Sequence, residues 1–247
     1  MSSPANEFER QLGLFRSESE SALQFFYAWQ SVHAVAAQNE AIARLLNQAP
    51  LFWNTNLGAL QTSAFVALGR IFDPDPKNHS VTRLVAFALA NVDIFSKNAL
   101  AERKRKLSAN ADEWLPEFLR GVYVPETSDF RRLKRHVAIR RKIYEERYRP
   151  LRHRVFAHRG ATTRAEAGEL FARTNIRELQ QLLVFLARLH ETLWQLFSNG
   201  HKPILRPERY SVQRMLEQAS PNVWNAKLQE RLIHEAKSFL TSHSKDA

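Results

Sequence analysis

The chain has 247 residues, 44% of them hydrophobic and 25% charged, with no cysteine and a formal net charge of +11. That length buries a real core in one large domain or two small ones, and the lack of cysteine excludes disulfides, thiolate metal sites and a cysteine nucleophile. Glycine is scarce, which disfavours a fold of many tight turns. The start MSSPANEFER has no apolar signal core, and no stretch approaches the ~18 apolar residues of a membrane span, so the expectation is a cytoplasmic protein with no membrane segment.

Nearly every long segment carries the helical period. Residues 17–47 place Ala22, Phe25, Trp29, Val32 and Ala36 at steps of three and four, one face of a helix, with His33 on that face as a core histidine. Residues 51–72 repeat the pattern with Leu57, Leu60, Ala64, Leu68 and Ile71. Asp73-Pro74-Asp75-Pro76 then stops the helix, because proline has no N–H to donate and restricts the residue before it. The two aspartates are spaced like cation ligands, but their prolines and the missing downstream glutamate read as a turn. Residues 80–107 predict one or two helices ending in the basic run ERKRK. Residues 112–124 predict a short helix or connector with Pro116 near its start.

From about Asp129 to His158 the pattern predicts a long basic helix kinked at Pro150, capped by Ser128 or Asp129 and ended by Gly160. Residues 161–173 read as a loop or short helix. Asn175 with Glu178 resembles a capping box. It opens a helix whose Leu179, Leu182, Leu186, Leu189, Leu193 and Leu196 form a 3-4-3-4-3 seam, suited to a bundle core or a dimer interface, the core being the preferred reading. Asn199-Gly200 ends it, and 207–242 reads as two amphipathic helices separated at Ser220-Pro221. No strand pattern, repeat or low-complexity tract occurs. The expected fold is all-α, an up-and-down helical bundle over 1–200 with additional C-terminal helices over 201–247 packed on it.

The positive charge is concentrated. Residues 131–159 hold twelve Lys/Arg against Glu145 and Glu146, a net +10, and the run at 102–106 adds +3, so the rest of the chain is close to −2. A local field of that size attracts polyanions, whereas a merely solvated face usually mixes both signs.

The candidate chemistry lies in YRPLRHRVFAHRG, residues 148–160. With ~100° per helical residue, Leu151, Val155 and His158 fall on one face, so the His158 ring continues an apolar stripe. Arg154 stands four residues before it, and Arg152 is long enough to approach from the side. A histidine beside arginines suits a phosphodiester: imidazole moves a proton near neutral pH, and guanidinium groups bind phosphate and stabilise developing charge. With RNA the 2′-hydroxyl is the nucleophile, so the chemistry requires no metal. On spacing alone, a helix-end histidine bonding last-turn carbonyls, or a packed core histidine, is the preferred reading of His158. His190-Glu191 and His234-Glu235 lack a second histidine four residues after the first, and no glycine-rich phosphate loop exists, so no cofactor or metal is expected. Trp29, Trp53, Trp114, Trp194 and Trp224 read as packing residues rather than base-stacking platforms.

The stretch resembles the HEPN superfamily signature, an arginine and a histidine separated by four to six residues with a polar residue after the arginine. Here Arg152 and His158 are five residues apart, with His153 in the polar slot. The fuller string is similar to the abortive-infection U-type branch, which tends to show Arg-Pro-Leu-Arg, a basic residue, aliphatics and Ala-His-Arg. The resemblance implies a HEPN-like helical bundle in which two protomers bring their motifs together, and a metal-independent endoribonuclease acting in toxin or phage-defence systems. Arg152 would then bind the scissile phosphate and His158 act as acid–base or positioning group. His153, Arg154, Arg159 and Arg149 are the further RNA- or phosphate-binding candidates. The implied partners are RNA, a second copy of the chain and a neutralising antitoxin. Some HEPN toxins carry a tyrosine two residues after the motif histidine, which a partner enzyme modifies; this chain has Gly160 there. The alternatives are a non-catalytic RNA- or nucleotide-binding module and a helical scaffold for an acidic protein.

Overall fold

The computed structural model describes residues 3–75, 77–157, 163–208, 210–218 and 226–243, the side chains of Ala157 and Arg164 excepted. These residues form helices and no β-strand. In chain order they are α1 (Pro4–Gln38), α2 (Glu40–Gln48), α3 (Pro50–Ile71), α4 (Val81–Ala90), a 3₁₀ turn (Val92–Phe95), α5 (Lys97–Leu107), α6 (Ala111–Arg120) and α7 (Thr127–Ile143). A π-helical segment (Tyr144–Tyr148), α8 (Arg149–Leu151) and a second π segment (Arg152–Ala157) follow, then α9 (Arg164–Ala172), α10 (Ile176–Asn199), α11 (Val212–Glu217) and α12 (Leu228–His243). The all-α expectation is met. Two compact units result, one from the residues up to Ser17, Arg70–Glu146 and Phe185–Glu208, the other from Glu18–Gly69, Arg147–Val184 and the described residues beyond Glu208.

The first unit is organised around an aromatic cluster. Phe8 meets Phe95 edge-on at 5.1 Å and Phe197 at 5.0 Å, and Phe95 meets Phe130 at 4.9 Å, ring geometries that add to simple burial. Helix α4 turns Val81, Leu84, Val85 and Ala88 inward against α7, which buries Phe130, Leu133 and Val137. Arg103 lies 3.9 Å from the centre of the Phe197 ring and donates to the carbonyls of Ile94 and Phe197, each at 2.7 Å. Burial lowers its pKa to about 10, so it remains a cation at neutral pH.

The N-terminus of α7 differs from expectation. Its cap is Glu126, and Asp129, three residues on, accepts from the Glu126 N–H at 3.0 Å. Asp129 is buried, which alone would raise its pKa; the Glu126 N–H, the Tyr123 hydroxyl at 2.7 Å and Arg132 at 2.7 Å outweigh burial and hold it below the usual carboxylate value. An acidic N3 residue can satisfy an orphan donor as well as an N-cap can.

In the second unit Phe26, Tyr27, Phe65, Tyr148, Leu151 and Leu179 are buried. Tyr27 meets Tyr210 at 5.3 Å, and Gln180 donates to Gln30 at 2.9 Å. Lys237 of α12 donates to the Leu216 carbonyl of α11 at 2.5 Å.

The predicted 17–47 helix is two helices, because Asn39 accepts from the N–H groups of Ala41 (2.9 Å) and Ile42 (3.4 Å) and restarts the chain as α2. His33 is exposed rather than core and packs edge-on against Trp29 at 5.0 Å. Asp73 accepts from the Asp75 N–H and Asp75 from the Lys77 N–H, each at 2.8 Å, so both aspartates build turns. Of the two readings of 112–124 the short helix holds, as α6, with Pro116 inside it rather than near its start. Trp114 and Trp194 are exposed rather than packed, and Trp224 lies outside the described residues, as do Ser220 and Pro221. All six leucines of the seam are buried.

Gly200, just after α10, has φ +65°, and a Cβ there would lie 2.6 Å from a Val122 methyl. Gly200→Ala is expected to cost about 1–2 kcal/mol from its left-handed backbone alone, and more where Val122 must move. Chemical denaturation of Gly200→Ala alone and with Val122→Ala separates the two costs: the second substitution should recover only the collision part.

Candidate functional site

The segment carrying the motif is helical, but its turns are wide. Proline at 150 has no N–H, and its ring crowds the carbonyl four residues earlier. The chain accommodates this with a π segment immediately upstream, Tyr144–Tyr148, and a second downstream, Arg152–Ala157. An i→i+5 turn takes one more residue than an α turn, so the ~100° count used for the sequence fails across the motif. Of the expected Leu151, Val155 and His158 stripe, the first two are described and the third lies outside the described residues. Leu151 is fully buried, Val155 only half-buried, and Phe156, five residues on, stacks against Phe65 at 4.8 Å and meets Phe171 edge-on at 6.2 Å.

Tyr148, at the head of the motif, is 0% exposed. Its hydroxyl donates to the Asn175 carbonyl at 2.9 Å and to Glu178 Oε1 at 3.0 Å, and Glu178 Oε2 accepts from Arg147 at 2.6 Å. The motif helix is thereby tied to the first turn of α10. Asn175 caps that turn, accepting from the Arg177 N–H at 2.8 Å and the Glu178 N–H at 3.4 Å. The expected capping box is half-formed, because the Glu178 carboxylate turns to Tyr148 and Arg147. Burial first, and the Glu178 carboxylate second, push the Tyr148 pKa well above its usual value.

Arg152 is half-buried and runs across Gly69 of α3; a Cβ on Gly69 would sit 2.6 Å from the guanidinium carbon and 2.7 Å from Cδ. Its Nε is enclosed with no acceptor, and the side chain makes no ion pair or hydrogen bond among the described residues. A guanidinium held by packing alone, without a counter-charge, is primed to take an anion, since a shielded cation gains most from pairing. Gly69 was missed in the sequence. The available signal was a glycine inside the apolar helix AFVALGRIF, where alanine would be favoured by ~1 kcal/mol unless something needs the space.

Arg149 is exposed and unpaired among the described residues, His153 is half-buried and Arg154 is exposed. Hydrogen bonds from Thr163, and behind them the field of Arg154, hold the Glu166 carboxylate below its ordinary pKa. The structure therefore places Arg149, Arg152, His153 and Arg154 on one short helical stretch. His158, Arg159 and Gly160 lie outside the described residues.

The two basic regions differ. On α7, Arg131, Lys134 and Arg135 are exposed and unpaired among the described residues, while Arg132, Arg141 and Lys142 face Asp129, Glu145 and Glu146. In the 102–106 run, Arg103 serves two carbonyls, Lys104 lies over the Phe118 ring and Arg105 pairs with Asp112 at 2.7 Å, so this run is mostly structural rather than a polyanion surface. Among the described residues no cluster of His, Asp or Glu could hold a metal ion, and no helix is long and apolar enough to cross a membrane.

The arginine of the motif, Arg152, thus opens a π-helical segment in a chain whose described residues are all helical or irregular. The sequence model of the AbiU2 HEPN family matches residues 5–215, and the chain belongs to that family. Comparison with curated proteins and with solved structures gave no match.

Two outcomes follow from the contacts of Tyr148 and Arg152. The raised Tyr148 pKa favours its neutral form, so its stabilisation is complete below the unfolded-state value near 10 and is lost as pH rises through the higher folded value. Equilibrium unfolding above pH 10 should therefore weaken the wild type more steeply than Tyr148→Phe. In an Arg152→Ala background, Gly69→Ala should gain about 0.8–1 kcal/mol from helix propensity. With Arg152 present the gain should vanish, a coupling that a double-mutant cycle reads directly.

Proposed function

We propose that this protein is a metal-independent endoribonuclease of HEPN type, acting in the cytoplasm as a homodimer in a toxin or phage-defence role. The observation that carries this reading is Arg152, a half-buried guanidinium with no counter-charge among the described residues, inside the motif of the family to which the chain belongs. Arg152 binds the scissile phosphate. His158, as motif partner, takes the proton from the RNA 2′-hydroxyl or returns one to the leaving oxygen. The 2′-oxygen attacks phosphorus and the bond to the 5′-oxygen breaks, leaving a 2′,3′-cyclic phosphate and a 5′-hydroxyl. Because RNA supplies the nucleophile, no metal-activated water is needed. Arg149, His153, Arg154 and Arg159 hold the neighbouring backbone. A toxin role implies a neutralising antitoxin partner.

A second reading is favoured by Arg131, Lys134 and Arg135, exposed and unpaired among the described residues, which support RNA binding whether or not the strand is cut. Incubation of mixed cellular RNA with the protein in EDTA separates the two. Cleavage is expected for wild type and a loss of about 10²–10⁴-fold for His158→Ala, the usual contribution of a general acid–base. Arg152→Ala should fall comparably and keep its thermal melt. Salt-sensitive binding with no product at any enzyme concentration would leave only the binding module.

A further inference from the structure

The second unit contains a cavity of about 340 Å³ against the motif helix. Its floor is Phe65, Tyr148 and Leu151, its rim includes Trp29 and Phe171, and Gln61 of α3 contributes an amide. The volume lies within the roughly 300–1,000 Å³ range of small-molecule sites, and the make-up is the usual one, apolar and aromatic walls with a few polar groups. Three observations narrow the occupant. Gln61 makes no hydrogen bond among the described residues, although it lines a mainly apolar space whose other polar lining residues are Tyr148, Thr174 and Asn175. Arg173 and Arg177, both exposed and unpaired among the described residues, flank the lining residues Thr174–Ile176 in sequence, so positive charge accompanies that stretch of the lining. The cavity also adjoins Arg152: Gln61 and Gly69 are eight residues apart on α3, ~12 Å along the axis at 1.5 Å per residue, a distance that one nucleotide and its neighbouring phosphate can bridge.

We propose that this cavity is a base-reading pocket for the RNA strand, receiving an adenine beside the phosphate held at Arg152, with the Gln61 amide reading the base edge. The aromatic walls stack on the ring, as in other single-strand sites. The amide offers one donor and one acceptor, the pair that glutamine presents bidentately to adenine. The inference rests on the RNA reading of the motif and adds to it a specificity-determining residue that the motif does not contain.

The test is fluorescence anisotropy with labelled 2′-O-methyl octamers of A, C, G and U, whose blocked nucleophile keeps the strand intact on the wild-type protein. The A octamer is expected to bind about tenfold tighter than the others. Gln61→Leu, a helix-compatible change on a half-exposed side chain, should bring the four within about twofold while leaving the salt dependence of binding unchanged, because phosphate contacts set that slope. Added indole should compete with the A octamer in the wild type. Equal binding of the four octamers, preference for another base, or a preference that survives Gln61→Leu overturns the proposal. A separate cleavage assay on unmodified RNA keeps the two readings apart. Adenine preference without cleavage defeats the nuclease and spares the pocket, whereas cleavage without the preference does the reverse.

Discussion

The motif depends on a buried hydroxyl. Tyr148 is enclosed in hydrocarbon, and its oxygen donates to a backbone carbonyl and a carboxylate at the start of α10. Those bonds set where the following residues stand, and a proline two positions later prevents the segment from being an ordinary helix. The two π segments follow from these demands. Within the second of them Phe156 stacks against Phe65. π-helical turns recur at functional sites because they re-aim side chains that regular geometry would bury or expose.

Arg152 shows how such a segment can hold a charge ready. Two cations near the motif have partners: Arg147 has Glu178, and Arg154 acts on Glu166. Arg152 instead lies across Gly69, with no ion pair among the described residues. A surface ion pair would have neutralised it for a small gain, typically about 0–1 kcal/mol. Packing against Gly69 instead limits its rotamers without offering a counter-ion, which is the preorganisation that favours anion binding.

The same contrast separates the two basic stretches. Counted along the chain, the 102–106 run and the 131–159 run are both positive. Folded, the first directs Arg103 and Arg105 to carbonyls and a carboxylate, while α7 keeps Arg131, Lys134 and Arg135 in solvent. Local charge density in a sequence therefore overstates the field that a ligand meets, because it does not record which cations the fold itself consumes.

Periodicity alone was enough for the all-α architecture, for the buried leucine seam of α10 and for the stop at Gly200, since these depend on local spacing and on backbone preferences that each residue carries with it. The Arg–His string was likewise legible, and it identified the family that the match over residues 5–215 bears out. Packing decided the rest. Glu126 rather than Ser128 or Asp129 caps α7 because Tyr123 and Arg132 converge on the Asp129 carboxylate. Glu178 leaves its capping box for a tyrosine thirty residues away in sequence. Gly69 matters only because Arg152, more than eighty positions later, crosses it. Such choices turn on atoms brought together from distant parts of the chain, and no count of residues along a helix contains them.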